Sequence, residues 1–278
     1  MRKFSPEEKL VERGRELAAV GKYDAAINSY TKALAINPKF SDAYNFRGQV
    51  YCRLKDYAKA VYNFGRAIEF APDDAYLYSY RADAFFCMGD YDAAVWDYTK
   101  AIDLKPTNHL FYIDRADAYL RLEYFDLAFK DFNTAVELQP ENALTHYRRG
   151  EFFFYAELYE PAIADFDETV KLDPIYKEAF YLRGLAKYKL GNYAAAIADF
   201  DKTTAININD GNAYYFKALC LFKTNDYKQA IENFNYAAIF FQNFAELYKF
   251  RGMAYEMLGD EVSANDDFHK SIELANKS

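Results

Sequence analysis

The sequence predicts an all-α fold, an α-solenoid of eight helix–turn–helix repeats. Three observations support this prediction. Prolines recur every 34 residues, small and aromatic residues recur at fixed positions within that period, and apolar residues inside each period have helical spacing. Self-similarity at a fixed period of 20–50 residues is the signature of repeat architectures, and it overrides any estimate of domain number from chain length.

The prolines define the period. Five of them lie 34 residues apart: Pro38, Pro72, Pro106, Pro140 and Pro174. With this proline at position 32, eight repeats run from Glu7 to Ser278 without a gap: 7–40, 41–74, 75–108, 109–142, 143–176, 177–210, 211–244 and 245–278. A single repeat cannot bury its own hydrophobic face, so we expect one array over 7–278.

Three positions of the 34-residue period show how two helices would pack against each other. Position 20 is always alanine, position 24 is always aromatic, and position 8 is glycine or alanine, as in Gly14, Ala26 and Tyr30 of the first repeat. Positions 4, 8 and 11 form one face of a first helix, and positions 17, 20, 24, 27 and 28 form the facing stripe of a second. Small residues let these helices approach closely, and aromatic residues fill the remaining space.

The proline at position 32 ends the second helix and begins the turn to the next repeat. In the last three repeats this position is occupied by Ile208, Gln242 and Asn276. We therefore expect looser turns there.

This pattern resembles the tetratricopeptide repeat, over essentially the whole chain from Glu7 to Ser278. The resemblance implies a right-handed superhelix in which the first helix of each repeat lines the concave side. It also implies that positions 2, 5, 9, 12 and 13 face the groove, and that the partner is a protein or peptide. Pentatricopeptide repeats, which bind RNA, have a similar plan, but the alanine and aromatic columns and the acidic charge favour the tetratricopeptide repeat.

The net charge disfavours negatively charged partners. With 34 basic and 42 acidic residues the formal net charge is −8, which disfavours binding to nucleic acid and to anionic membrane surfaces. No stretch approaches the ~20 apolar residues of a spanning helix, and the N-terminus lacks a signal-peptide pattern. Cys52, Cys87 and Cys220 are far apart in the sequence, so we expect neither a disulfide framework nor a zinc site, and we expect a cytoplasmic location.

No pattern in the sequence indicates catalysis. His109, His146 and His269 lie in three different repeats without a nearby ligand partner, so no metal site is predicted. The chain has no glycine-rich phosphate loop, nucleophile elbow or zinc motif. We expect no enzyme activity and no cofactor.

Position 7 carries a column of basic residues where the related family is usually apolar: Arg13, Arg47, Arg81, Arg115, Arg149, Arg183, Lys217 and Arg251. Position 23 supplies partners: Ser29, Asn63, Asp97, Asp131, Asp165, Asp199, Asn233 and Asp267. A buried charge needs a partner. We predict a ladder of arginine–aspartate pairs that joins the two helices of a repeat or one repeat to the next; the alternative is an anion-binding stripe.

The groove positions change character along the chain. They are acidic in the middle repeats and aromatic or aliphatic in repeats five to seven, and the candidate partner-binding residues are Asp83, Asp117, Tyr147, Glu151, Phe154, Tyr155, Tyr181, Leu185, Tyr188, Tyr215, Leu219 and Phe222. An exposed aromatic stripe marks an interaction site. Two alternatives stay open: some of these aromatics pack against neighbouring repeats, and Asp117 pairs with Arg121 along its own helix.

These features predict a protein-interaction scaffold that binds an extended or helical segment with apolar anchors and some positive charge. Two other functions stay open. The first is self-assembly into a homo-oligomer, for which Phe240, Phe241 and Phe244 at the turn after the seventh repeat are candidates. The second is the carriage of a small apolar ligand.

Overall fold

The computed structural model describes residues 4–277, and this range contains sixteen α-helices and no strand. The helices are α1 (Pro6–Ala19), α2 (Tyr23–Ile36), α3 (Ser41–Arg53), α4 (Tyr57–Phe70), α5 (Ala75–Met88), α6 (Tyr91–Leu104), α7 (His109–Arg121), α8 (Phe125–Leu138), α9 (Ala143–Tyr155), α10 (Tyr159–Leu172), α11 (Lys177–Lys189), α12 (Tyr193–Ile206), α13 (Gly211–Lys223), α14 (Tyr227–Phe240), α15 (Ala245–Met257) and α16 (Glu261–Ala275).

The helices follow the predicted period. Each odd-numbered helix packs on the even-numbered helix that follows it, across a turn of two or three residues, and four residues separate one pair from the next. Such short connections make the two helices of a pair antiparallel. The prediction of an all-α helical-repeat solenoid is confirmed.

The chain divides into two compact units, Met1–Gln139 with α1 to α8 and Pro140–Ser278 with α9 to α16. Inside each unit, consecutive first helices contact each other in most cases, as α1 with α3 and α9 with α11. Among the described residues, consecutive second helices do not approach each other to the same extent. The first helices therefore lie on the inner face of each unit, as the family resemblance implied.

Aromatic side chains of the second helix fill the space that small residues of the first helix leave. Tyr30 and Phe64 are fully buried, and a Cβ built on Gly48 would lie 2.8 Å from Cε1 of Phe64. The small residues at position 8 and the aromatic residues at position 24 thus form one contact between the two helices of a pair, and this contact repeats along the chain.

The predicted ladder is confirmed in both units. The arginine at position 7 donates to the residue at position 23 of the same helix pair in Arg47–Asn63, Arg81–Asp97, Arg115–Asp131, Arg149–Asp165, Arg183–Asp199 and Arg251–Asp267. The ladder also joins successive pairs: Arg115 donates to Thr99 at 3.0 Å and Arg183 to Asp167 at 2.6 Å. These partners occupy the guanidinium groups, which disfavours the anion-binding stripe.

Arg13 departs from the expected burial. It is exposed, because no earlier helix pair lies over it in the described residues. Burial at position 7 therefore depends on the preceding helix pair, and none precedes α1 among the described residues.

The turn before Gly211 has the geometry of a proline-containing turn, although position 32 is Ile208. Asn207, which precedes Ile208, has φ −134° and ψ 98°, close to φ −132° and ψ 95° of Asp173, which precedes Pro174. The two turns also share a backbone hydrogen bond of 3.2 Å, from Asp210 to Asn207 and from Tyr176 to Asp173. The backbone of this turn thus has the same geometry without proline, and it keeps the same hydrogen bond.

His146 has a structural role in the C-terminal unit. Its Nε2 lies 2.9 Å from the carbonyl oxygen of Pro140, and its Nδ1 lies 3.2 Å from Oδ1 of Asp165. In the same register, the hydroxyl of Tyr248 donates to the carbonyl of Gln242 at 3.2 Å. The imidazole thus ties the start of α9 to the preceding turn, as a tyrosine does elsewhere.

Candidate partner-binding site

The acidic candidates lie on inner helices of the N-terminal unit. Asp83, on α5, accepts a hydrogen bond of 2.7 Å from the hydroxyl of Tyr98. Its side chain keeps an exposed edge, but the surrounding helices desolvate the carboxylate and raise its pKa, and the bond from Tyr98 partly offsets this. Asp117, on α7, is half-buried. Burial raises the pKa of Tyr98, and the charges of Asp83, Asp114 and Asp117 raise it further, so these three carboxylates share one region.

In the C-terminal unit, α9 carries four of the predicted residues. The hydroxyl of Tyr147 donates to Oε1 of Glu151 at 2.9 Å, and its ring lies 4.7 Å from that of Tyr176. Phe154 is half-buried, and its ring centroid lies 5.5 Å from that of Tyr155. Tyr155 is 73% exposed, so it is the most accessible aromatic side chain of the predicted set.

The predicted residues of α11 are all half-buried: Tyr181, Leu185 and Tyr188. The rings of Tyr181 and Tyr188 lie 6.4 Å and 5.7 Å from the ring of Phe216. Burial, reinforced by the carboxylate of Asp210, raises the pKa of Tyr181 to about 12. Burial also raises the pKa of Tyr188, so both hydroxyls stay protonated at neutral pH and can donate hydrogen bonds.

The predicted residues of α13 divide into two kinds. Tyr215 and Leu219 are only 6% and 5% exposed, and both belong to the hydrophobic core. The ring of Tyr215 packs 5.0 Å from that of Phe244. Phe222 is half-buried, and its ring lies 5.9 Å from that of Phe250. Tyr215 and Leu219 therefore support the surface from below, and Phe222 is available on it.

Sequence profiles of known families match most of the chain. The profile of the TPR repeat matches residues 14–55, 48–89 and 82–123, and a second tetratricopeptide repeat profile matches residues 113–174. Together they span residues 14–174, more than half of the 278 residues. The chain belongs to the tetratricopeptide repeat (TPR) family. The profile of anaphase-promoting complex, cyclosome, subunit 3 matches residues 156–237.

Solved TPR structures resemble this chain. MamA is 27% identical with a TM-score of 0.58, over 61% of this chain and 92% of its own. YrrB, described as a TPR protein with an unusual peptide-binding site, is 21% identical with a TM-score of 0.59, over 64% and 91%. A tetratricopeptide repeat protein from Parabacteroides merdae is 16% identical with a TM-score of 0.64, over 96% and 98%. A comparison with curated proteins found no similar sequence.

Two residues of the inner face were absent from the predicted set. Phe216 and Phe250 are half-buried and contact Tyr188 and Phe222. Both occupy position 6 of the TPR period, which lies four residues after position 2 and three before position 9. This helical spacing places position 6 on the predicted groove face, so the signal was present in the sequence.

The phenylalanines after α14 are only partly available. Phe240 is 43% exposed, but its Cβ lies 2.8 Å from where a Cβ of Gly211 would be, so the side chain packs on α13. Phe241 and Phe244 lie 6.1 Å apart, and Phe244 also covers Tyr215. This cluster is thus anchored in its own unit and presents a partly exposed edge.

In the described residues, no helix combines the length and apolar character needed to cross a membrane. Likewise, residues 4–277 contain no group of three or more histidine, cysteine, aspartate or glutamate residues placed to hold a metal ion.

Proposed function

We propose that this TPR protein is a protein-interaction scaffold and that the inner face of its C-terminal unit binds a peptide or a partner surface. The observation that supports this proposal is a series of half-buried or exposed apolar side chains on α9, α11, α13 and α15. We call it the inner aromatic surface: Tyr147, Phe154, Tyr155, Tyr181, Leu185, Tyr188, Phe216, Phe222 and Phe250. Tyr215 and Leu219 are left out because they are buried.

The chemistry of this surface suits a segment with apolar anchors. Half-buried rings that already contact one another lose little conformational freedom on binding, and tyrosine adds a hydrogen-bonding hydroxyl. Glu151, beside Tyr147, pairs with Arg148 of the same helix at 3.3 Å, and a basic residue of a partner would compete for its carboxylate. A partner segment that inserts apolar side chains among these rings and carries a basic residue near Glu151 fits both features.

The acidic residues of the N-terminal unit form a second proposed contact. Asp83 and Asp117 lie on the inner helices α5 and α7. Their carboxylates, together with Asp114, concentrate negative charge around the hydroxyl of Tyr98. We propose that this region accepts basic side chains of a partner.

The fold supports this function by analogy. YrrB, which shares the TPR fold with this chain, is described as having a peptide-binding site. We also propose a cytoplasmic location, since Cys52, Cys87 and Cys220 are free thiols and a reducing compartment maintains that state.

The proposal is tested by capture of partners from a lysate of the source organism with three immobilised proteins. These are the wild type, the double variant Tyr155→Ala/Tyr188→Ala, and the control Tyr62→Ala/Tyr236→Ala, whose tyrosines are exposed on the second helices α4 and α14. A captured partner is then purified, and its affinity for each protein is measured. We expect the inner variant to bind at least tenfold more weakly, as loss of interface aromatics does, and the control to bind normally.

Circular dichroism and thermal unfolding establish that all three proteins are folded. A partner that binds the inner variant as tightly as the wild type removes the inner aromatic surface from the proposal. A parallel Asp83→Asn/Asp117→Asn variant tests the acidic region, where weaker binding that also loses its salt dependence is the expected result.

Self-assembly is a second candidate function, favoured by the exposed edge of Phe240 beside the exposed Ile239. Size-exclusion chromatography with light scattering tests it. A dimer that Phe240→Ser converts to a monomer would support it, and a monomer at high protein concentration would exclude it.

A further inference from the structure

A small cavity lies between the first two helix pairs of the N-terminal unit. Its volume is about 210 Å³, and its lining residues are Arg15, Ala18, Ala19, Tyr30, Phe46, Gln49, Val50 and Arg53. The two alanines are short, which leaves space among the larger side chains of the lining. Although the whole chain is acidic, all the charged residues that line this cavity are basic.

Tyr30 reaches this cavity from α2. Its side chain is only 1% exposed, yet among the described residues its hydroxyl has no hydrogen-bond partner. A hydroxyl that faces an open cavity can bond water, and a charged acceptor that replaces this water makes a stronger hydrogen bond. The cavity therefore leaves room for an acceptor at this hydroxyl, either water or a bound ligand.

The equivalent tyrosine of a later helix pair shows which acceptor fits. Tyr98 occupies the same position 24, and its hydroxyl donates to the carboxylate of Asp83 at position 9, at 2.7 Å. In the first pair, position 9 is Arg15. The carboxylate that accepts from Tyr98 is thus replaced beside Tyr30 by a cation, so this hydroxyl has no carboxylate of its own helix pair beside it and the charge there is positive.

The arginines are held where they face the cavity. The guanidinium carbon of Arg15 lies 5.0 Å from the ring centroid of Phe46, and Nη1 of Arg53 donates to the carbonyl of Ala18 at 3.4 Å. Burial raises the pKa of Tyr30 to about 12, while Arg15 and Arg53 both act to lower it. Both positive charges therefore act on the same hydroxyl.

One acidic side chain competes for this charge. Glu12 accepts a hydrogen bond of 2.9 Å from Arg15. Both side chains are about half exposed, so this is a weak surface pair. It leaves Arg15 able to bind a second anion.

The cavity volume limits the ligand. About 210 Å³ corresponds to several water molecules of ~30 Å³ and is smaller than the ~300–1,000 Å³ of sites for drug-sized ligands. It suits one acidic side chain or a small carboxylic acid.

We propose that this cavity binds a carboxylate group, which accepts a hydrogen bond from Tyr30 and pairs with Arg15 and Arg53. The group comes from an acidic side chain of a partner protein or from a free small carboxylic acid. The site lies apart from the inner aromatic surface, goes beyond the proposed function and stands without it.

The test is an NMR titration of the full ¹⁵N-labelled chain with sodium acetate, against sodium chloride at equal ionic strength. We expect saturable shifts of the Arg15 and Arg53 side-chain signals that chloride does not produce. Tyr30→Phe removes only the hydroxyl, and phenylalanine already fills position 24 at Phe64 and Phe132, so this variant should fold. It should weaken acetate binding about tenfold, as the loss of a hydrogen bond to a charged group does.

Two matched controls accompany the variants. Tyr98→Phe removes a hydroxyl that Asp83 already satisfies, and it should leave acetate binding unchanged. Arg53→Gln should weaken binding at least fivefold, whereas Arg121→Gln, at the same position 13 of a later pair, should not. Glu12→Gln frees Arg15 and should strengthen binding.

The source of the carboxylate is distinguished with a short neutral peptide that contains one glutamate, compared with its glutamine counterpart. Tighter binding of the glutamate peptide than of acetate assigns the site to a protein segment, and equal binding assigns it to a free acid. The absence of saturable acetate shifts in the wild type, or equal acetate affinity of the wild type and Tyr30→Phe, would overturn the proposal. Neither result depends on partner capture at the inner aromatic surface.

Discussion

The guanidinium of Arg115 and the carboxylate of Asp131 face each other through two parallel hydrogen bonds. Nε lies 2.7 Å from Oδ2 and Nη2 lies 2.8 Å from Oδ1. Only 16% and 5% of the two side chains is exposed. The remaining nitrogen of Arg115, Nη1, donates to Oγ1 of Thr99 in the preceding helix pair. One side chain thus joins three helices, α6, α7 and α8.

Asp131→Ala should destabilise the protein strongly. It leaves the half-buried charge of Arg115 without its bidentate partner, a change that costs about 3 kcal/mol when a buried pair is broken. Urea unfolding followed by circular dichroism gives the change in free energy of unfolding. Asp103→Ala is the matched control, because Asp103 pairs with Lys100 at 3.7 Å on the surface. It should cost no more than about 0.5 kcal/mol, and equal losses for the two variants would contradict a structural role for the ladder.

Gly14→Ala should destabilise the first helix pair. A Cβ on Gly14 would lie 2.8 Å from Cδ1 and Cζ of the buried Tyr30, and such overpacking costs about 1–3 kcal/mol. The better helix propensity of alanine recovers up to about 1 kcal/mol. Ala82 is tolerated opposite Tyr98, so we expect the helices to separate slightly, with a net loss of about 1 kcal/mol.

Gly65→Ala is the control, and it should change the free energy of unfolding in the opposite direction. Gly65 lies inside α4, and a Cβ there would meet only Nη1 of Arg81, at an ordinary distance of 3.6 Å. This variant should gain about 0.5–1 kcal/mol through helix propensity. Thermal unfolding of both variants shows whether each one is stabilised or destabilised relative to the wild type. Stabilisation by Gly14→Ala would show that the contact between Gly14 and Tyr30 is not tight.

The sequence predicted the elements of this fold that depend on repetition. The 34-residue period gave the helix pairs, and positions 7 and 23 gave the arginine ladder, because a charge on a buried helix face must meet its partner across the pair. The same argument explains why Arg13 is exposed although its position 7 predicts burial. Burial at this position depends on an earlier helix pair, and the position of a residue within the period does not show whether such a pair is present.

The candidate site was less predictable because burial on the inner face depends on the neighbouring pair. Tyr181 and Tyr215 share position 5, yet Tyr215 is buried, since Phe244 of the following turn covers it. Likewise, Tyr30 and Tyr98 share position 24, and the residue at position 9 decides whether the hydroxyl has a carboxylate acceptor. Such differences in burial and hydrogen bonding come from the sizes and charges of the side chains in contact. A comparison of the same position across the repeats does not reveal these contacts.

The three cysteines should react with iodoacetamide in a fixed order at pH 8. The thiolate is the reactive form, so burial and a raised pKa both slow alkylation. Cys87 is exposed and should react first; Cys52 is half-buried, and burial raises its pKa to about 11. Cys220 is buried with a pKa raised to about 12 and should react last. Mass spectrometry of timed samples gives the order, a denatured sample should label all three sites together, and rapid labelling of Cys220 in the folded protein would contradict its burial.

Lys55→Gly should stabilise the protein. Lys55 has φ 58°, the left-handed conformation that Gly21, Gly89, Gly191 and Gly259 adopt at the same position 15 of their pairs. A side chain in this region costs about 1 kcal/mol or more, and glycine should recover about 0.5–1 kcal/mol after its larger entropy loss. Lys32→Gly, at an exposed site inside α2, should instead cost about 1 kcal/mol. Denaturant midpoints of the two variants test the difference, and destabilisation by Lys55→Gly would be inconsistent with strain at this turn.

Ile208→Pro should also stabilise the protein. Asn207 already has the extended conformation that a following proline requires, and Ile208 is exposed, with its side chain 72% accessible. Because the turn has the geometry of the proline-containing turn after α10, the substitution chiefly reduces the freedom of the unfolded chain, a gain of about 0.4–1 kcal/mol. Ala205→Pro, only three residues earlier but inside α12, should cost about 3 kcal/mol because it removes a helical hydrogen bond. Thermal unfolding of both variants checks the prediction, and a loss of stability in Ile208→Pro would show that Ile208 does not share the backbone conformation of Pro174.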